Sequence, residues 1–173
     1  MSKWSGGIYH KPDLETIMMA IAFLMSQRSI DPRTVHGCVL TSNAKRILST
    51  GYNGPISGSN DKNIPLDDNK YFYFIHAEEN CILNYNGSHS DLKEASVYIT
   101  GKPCHRCLRM LLQKGIKRII HGHVKSKCLD EIDEKVCKKF IEEHNASVVE
   151  YTSIDKVIRV LERTIDYINY KAE

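Results

Sequence analysis

Phe74-Ile75-His76-Ala77-Glu78-Glu79-Asn80-Cys81-Ile82-Leu83, read together with Pro103-Cys104-His105-Arg106-Cys107, decides how this chain folds. The aromatic and apolar lead-in Tyr71 to Ile75 runs into a helical segment, His76 to Leu83, that ends near Asn86-Gly87. Downstream, the strand-like run Ala95 to Thr100 passes through Gly101-Lys102-Pro103 into a second helix, Cys104 to Lys114, with Pro103 near its first position. Two junctions of this kind put His76 and Glu78 in one first turn and Cys104 and Cys107, one turn apart, on one face of the other. The partial positive charge of a helix N-terminus favours the thiolate form of such cysteines.

His76, Cys104 and Cys107 are three ligands of the types zinc takes, and Glu78 is left uncommitted beside them. A structural zinc is closed by four protein ligands, whereas three ligands leave a position for water and bring that water close to neutrality. Glu78 then has the role of proton carrier: it takes the water proton, passes it to a ring nitrogen and later helps expel ammonia. The order H-x-E…P-C-x-x-C is that of zinc deaminases attacking C4 of cytosine or C6 of adenine. A lone Cys-x-x-Cys fits a redox pair or half of a structural zinc site, and a lone His-x-Glu means little. In combination they point to a zinc hydrolase with one catalytic Zn2+ per chain.

With 173 residues, 42% of them hydrophobic, the chain is long enough for one compact domain over 1–173, with a motif-bearing core at about 17–150 and a C-terminal helix at 153–170. Lys and Arg total 24 against 21 Asp and Glu, and no basic block appears, so a nucleic-acid partner is not expected. The apolar run Ile17 to Met25 follows Asp13 and Glu15, lacks the basic flank of a signal peptide and is too short to span a bilayer. It reads as a largely buried helix opening at Pro12-Asp13, and no membrane partner is expected. Of six cysteines, Cys38, Cys81, Cys128 and Cys137 lie outside the metal pattern and show no disulfide framework, which suits a reducing, cytoplasmic location.

Outward from the two junctions, His36 to Leu40 and Arg46 to Gly51 read as strands joined through Thr41-Ser42-Asn43-Ala44. The polar stretch Ser57 to Asn69 reads as a long loop. Lys117 to His121 is expected as a short buried strand, Asp133 to His144 as a helix, Ser147 to Glu150 as a strand and Ser153 to Tyr170 as a helix. An initial hairpin followed by alternating helices and strands implies an α/β fold, a mixed sheet covered on both faces. On the last helix Ile154, Ile158, Leu161, Ile165 and Ile168 form a stripe that either packs on its own domain, the favoured reading, or makes a seam with another subunit.

Gly51-Tyr52-Asn53-Gly54, taken with His76 to Asn80 and Pro103 to Cys107, closely resembles the deoxycytidylate (dCMP) deaminase family, in particular its viral members, over about Ile17 to Val149. The stretch Arg28 to Val39 also resembles the segment entering that family's first strand. The resemblance implies a single-domain three-layer α/β/α sandwich with a mixed five-stranded sheet, and hydrolysis of dCMP to dUMP and ammonia; some viral relatives also accept dCTP. It implies that Asn53, beside Gly54, holds the sugar, that the backbone N–H of Ala77 meets the base carbonyl, and that basic residues near Arg28 meet the phosphate. It further implies a homohexamer, activated by dCTP and inhibited by dTTP at a site near Tyr52, Asn53, Gly54 and Asn80, with Mg2+ accompanying a triphosphate effector.

Read from the residues themselves, these positions differ in strength. Asn53 offers a donor and an acceptor to a sugar hydroxyl, and equally suits a turn before Gly54. Arg28 and Arg33 are either phosphate ligands or ordinary solvated cations, and Lys70 and Lys102, which flank the metal segments, are either phosphate ligands or plain surface lysines. Asn80, four residues from His76, orients the loop or lies against a neighbouring helix. The chain also departs from the family. Asp31 stands where many members carry a cysteine for a second, structural zinc, so a single zinc is expected. Gly101-Lys102 replaces a larger apolar residue, and His121 and His123 stand near a position often aromatic, where they either stack on a base or cap a strand. A polynucleotide deaminase would need cations interleaved with aromatics along a groove. A non-catalytic, zinc-stabilised nucleotide-binding module would have no use for Glu78.

Overall fold

In a computed structural model, residues 11–125 and 130–172 are described. Helix α1, Leu14–Ser26, opens at Asp13, whose carboxylate accepts the Thr16 N–H at 2.7 Å. Strands β1, Gly37–Thr41, and β2, Ile47–Tyr52, form the expected antiparallel hairpin. A side chain at Gly37 would start 1.9 Å from the Ala22 carbonyl oxygen, so only glycine lets α1 lie this close to β1. Two short strands follow, β3 at Gly54–Pro55 and β4 at Phe74–Ile75, paired antiparallel with each other.

The main sheet is completed by β5, Ser96–Gly101, β6, Arg118–Val124, and β7, Ser147–Glu150. Its order is β2-β1-β5-β6-β7, antiparallel on either side of β1 and parallel from β5 through β7. The parallel half needs crossovers, and these are α3, His105–Gln113, and α4, Glu131–Glu143. With α2, Ala77–Leu83, they cover one face, where Cys38, Leu40, Cys81, Val97, Ile99, Leu111 and Ile119 are buried. On the other face α1 and α5, Ile154–Ala172, pack over Met19, Val39, Tyr98, Ile120 and Val157. Alternation along β5 feeds both cores: Val97 and Ile99 enter one and Tyr98 the other. This is the three-layer α/β/α sandwich with a mixed five-stranded sheet that the resemblance implied, and the mixed, doubly covered sheet that the element order implied.

Some local expectations are corrected. The polar loop before β4 holds two short 3-10 turns, Asp61–Asn63 and Asp68–Phe72, and the second buries Lys70. The strand expected at Lys117 to His121 runs on to Val124 because its register with β5 continues as far as Gly101. On α5 the residues turned to α1 and the sheet are Val157, Val160 and Leu161, while Ile158, Ile165 and Ile168 are 49%, 57% and 58% exposed. The apolar stripe is therefore divided, since from residue 164 to 171 every position is exposed. Cys38, Cys81 and Cys137 are buried thiols, and Cys128 lies outside the described residues. No described helix is long and apolar enough to cross a membrane.

Candidate active site

Helix α2 reaches the edge of the sheet because β2 ends in glycine. A Cβ on Gly51 would lie 2.4 Å from both the Ala77 carbonyl oxygen and the Cys81 nitrogen. Side chains then stitch the helix down: Ser49 Oγ donates to the Cys81 carbonyl at 2.7 Å, Asn80 Nδ2 to the Tyr52 carbonyl at 3.0 Å and Asn84 Nδ2 to the Thr50 carbonyl at 3.0 Å. Asn80 thus ties the helix to the strand end that presents Asn53. The pairing of Gly54 with Ile75 fixes the chain just before His76.

His76 and Cys104 are the N-caps of α2 and α3, one position earlier than the expected first turns, and Pro103 precedes the cap. Neither side chain caps its own helix; both turn to a shared point. The His76 Nδ1 atom is 3.6 Å from Cys104 Sγ and 3.3 Å from Cys107 Sγ, and the three ligand atoms lie within 4.8 Å of one another. Tetrahedral zinc with bonds of about 2.3 Å to sulfur and about 2.0 Å to nitrogen has N···S edges of about 3.5 Å, so the cluster fits that ion. Cys107 keeps its proton tightly, through its hydrogen bond with Cys104 and through burial, so loading a metal there releases protons.

Glu78 is 6% exposed and is not one of the clustered ligands. Burial pushes its carboxyl above the usual carboxylate range, against the opposing pull of its own N–H and of His76. A carboxyl group so placed holds its proton more firmly than an exposed one.

The cavity above the cluster is walled by His76, Ala77, Glu78 and Cys104, and beyond them by Asp31, Arg33, His36, Asn53, Lys70 and Lys102. Asn53 is buried, and its amide is heavily used: Oδ1 accepts the His36 N–H at 2.7 Å, while Nδ2 donates to the Thr34 carbonyl at 3.0 Å and to Asp31 Oδ2 at 3.3 Å. Both donors are spent, and one acceptor lone pair remains. Lys70 is not a surface lysine; it is 2% exposed and ion-paired with Asp31. Burial raises the Asp31 carboxyl, but Lys70 and the N–H groups of Arg33 and Thr34 outweigh it and hold the group below its ordinary range. Arg33 pairs with Asp68 at 2.6 Å and Lys102 with Glu134 at 3.5 Å.

Arg28 is not among the residues lining this cavity; its guanidinium sits 5.8 Å over the Tyr52 ring. Gly54 is buried in the β3–β4 pair beside Tyr52 and does not line the cavity either. His121 donates from Nδ1 to the Gly122 carbonyl at 2.8 Å and His123 lies 6.2 Å from the Phe23 ring, so neither lines the cavity.

Two contributors escaped the sequence reading. His36 enters the wall because Gly101 leaves room for it: a Cβ there would be 2.8 Å from His36 Cε1. Burial, reinforced by His76, lowers its pKa to about 4, so the ring is neutral at physiological pH. Asp133 of α4, 4% exposed, accepts the His105 backbone N–H at 3.0 Å and binds the His105 ring, fixing the residue after Cys104. The only signals were the unusual glycine before Lys102 and the acidic start of α4.

Residues 13–123 match the family model described as the cytidine and deoxycytidylate deaminase zinc-binding region. The human protein named deoxycytidylate deaminase is 33% identical over 153 residues, covering 79% of this chain and 85% of its own length. A protein of the same name from Mycobacterium phage D29 is 28% identical over 125 residues, 64% of this chain and 95% of its own. Among solved structures, dCMP deaminase from the cyanophage S-TIM5 in complex with dCMP and dUMP superposes with a TM-score of 0.66 at 24% identity, covering 83% of this chain and all of that one.

Proposed function

The chain belongs to the cytidine and deoxycytidylate deaminase family, and from that membership we propose that it hydrolyses dCMP to dUMP and ammonia. The observation that carries the reading is a buried Glu78 beside, and outside, a three-ligand cluster of zinc geometry. His76, Cys104 and Cys107 would hold zinc, which would supply the Lewis acidity that makes a water nucleophilic at neutral pH. Glu78 would carry both protons of the attacking water: the first goes to N3 as the water oxygen bonds to C4, and the second goes from the new C4 hydroxyl to the amine, so that the C4–N bond breaks and ammonia leaves. The Ala77 N–H is the donor for the base carbonyl. Asn53 braces the sugar end of the cavity, and Arg33, bonded to Tyr71 and to the exposed Asp68, and Lys102, paired with the exposed Glu134, are the cations of the cavity wall that would serve a phosphate. Arg28 would reach a phosphate only by leaving Tyr52.

Turnover of dCTP as a second activity is part of this reading, supported by Lys102 at the cavity wall. So is a single zinc per chain, since Asp31 is engaged with Lys70. Assembly into a homo-oligomer, a hexamer as in the family, is supported by the exposed Ile158, Ile165 and Ile168. Control by dCTP and dTTP near Tyr52, Asn53, Gly54 and Asn80, with Mg2+ on the triphosphate, and a cytoplasmic location complete it. The test is ammonia release by zinc-loaded protein offered dCMP, dCTP, CMP, cytidine and a short oligonucleotide. Turnover of the deoxynucleotides alone is expected; turnover of the oligonucleotide alone would overturn the reading in favour of a polynucleotide deaminase.

A further inference from the structure

We propose that Asp31, held in place by Lys70, is the acceptor for the sugar 3′-hydroxyl and so a specificity-determining residue of this cavity. The inference rests on the reading that a deoxycytidine nucleotide occupies it. Asp31 and Lys70 both line the cavity, and their side chains are only 8% and 2% exposed. A charged pair kept this far from water beside a ligand site needs every lone pair used. The Oδ1 atom is used three times, by Lys70 and by the N–H groups of Arg33 at 2.8 Å and Thr34 at 3.2 Å. The Oδ2 atom has a single long contact among the described residues, the 3.3 Å bond from Asn53 Nδ2, and retains accepting capacity.

The chemistry of the ligand selects which group fills that capacity. A carboxylate accepts and never donates, and at neutral pH the phosphate of a nucleotide also has little to donate. The amine of the base is committed to the metal end, at Glu78. The remaining donor on a deoxycytidine monophosphate is the 3′-hydroxyl. Asn53, adjacent to Asp31, has both amide hydrogens spent inside the protein, so it offers the same hydroxyl at most its one spare lone pair. Lys70 does not touch the sugar; it is a positioning residue, which cancels the repulsion the carboxylate would exert on an incoming phosphate.

The experiment compares dCMP with 2′,3′-dideoxycytidine monophosphate, which differs only in lacking the 3′-hydroxyl. For the unaltered holoenzyme, kcat/KM for dCMP should exceed that for the dideoxy compound by about 10- to 100-fold, the range of a hydrogen bond to a charged group. Asp31→Asn alone strands Lys70 and risks misfolding, so Asp31→Asn combined with Lys70→Gln removes both charges. Zinc content and the thermal transition report its folding. This variant should lose the preference by lowering kcat/KM for dCMP while leaving the dideoxy substrate within about threefold. Equal losses on both substrates would overturn the proposal, because a purely structural role cannot tell them apart. Calorimetric binding of dUMP against dideoxy-UMP repeats the comparison without turnover. An unaltered protein that deaminates neither substrate therefore refutes the reaction, while the binding preference still decides Asp31.

Discussion

Gly51 on β2 lies directly beneath Ala77 and Cys81 of α2, with room for a hydrogen and nothing more. The contact is with backbone at 2.4 Å on both sides, so no side-chain rotation relieves it. Gly51→Ala should lift the helix that carries His76 and Glu78 away from the sheet. The expected outcome is a stability loss of about 1–3 kcal/mol by urea denaturation. A fall in activity larger than the unfolded fraction accounts for should accompany it, because displacements of about 1 Å cost about 100-fold in rate. Retention of full activity and stability would mean that α2 is not positioned by this glycine.

Glu78→Gln preserves shape and removes the carboxyl group proposed to carry the protons. Zinc content should be unchanged, since the proposed ligands are His76, Cys104 and Cys107. Deamination should fall by roughly 10²–10⁴-fold, the usual worth of general acid–base catalysis. A variant that loses zinc yet retains a residual rate would reverse the assignment of ligand and proton carrier.

Asp13 caps α1 through the Thr16 N–H and hydroxyl, and stands 3.9 Å from Lys156 of α5. Asp13→Ala should cost about 1 kcal/mol, the usual value of an N-cap. The Thr16 N–H, foremost, holds the Asp13 carboxyl below its ordinary range against burial. Its contribution is therefore full above the unfolded pKa of about 3.9 and is lost as pH falls through the lower folded value. Stability curves for the two proteins should converge on acidification below that window; a gap that widened there would contradict the capping role.

The cluster of His76, Cys104 and Cys107, the place of Glu78 beside it and the sheet were legible because each depends on local sequence: a fixed spacing, a periodicity of two or 3.6, a glycine or proline at a junction. Lys70 shows where such reading stops. Nothing near it in sequence marks it as buried, because its partner Asp31 is 39 residues away and the pair exists only once the fold brings the two loops together. His36 is similar, since its place in the cavity wall depends on the missing Cβ of Gly101, on a strand paired with its own only in the folded sheet. The stripe on α5 was divided for a related reason: periodicity identifies an apolar face but not how far the sheet beneath it extends.

Asp133 offers the sharpest test of how α4 supports the metal loop. Its carboxylate holds both the backbone N–H and the ring of His105, next to the proposed metal ligand Cys104, and Cys137 Sγ stands 3.6 Å from its other oxygen. Partners that orient a metal loop commonly contribute about 10–100-fold in metal affinity. Asp133→Ala should weaken zinc binding by that order in a chelator competition, and activity at limiting zinc should fall with it while excess zinc restores much of kcat. Asp133→Asn keeps an acceptor for the His105 N–H and should lose less. A merely structural role would instead lower the thermal transition of the zinc-saturated protein without shifting the chelator midpoint. The two measurements therefore separate support of the metal loop from support of the fold.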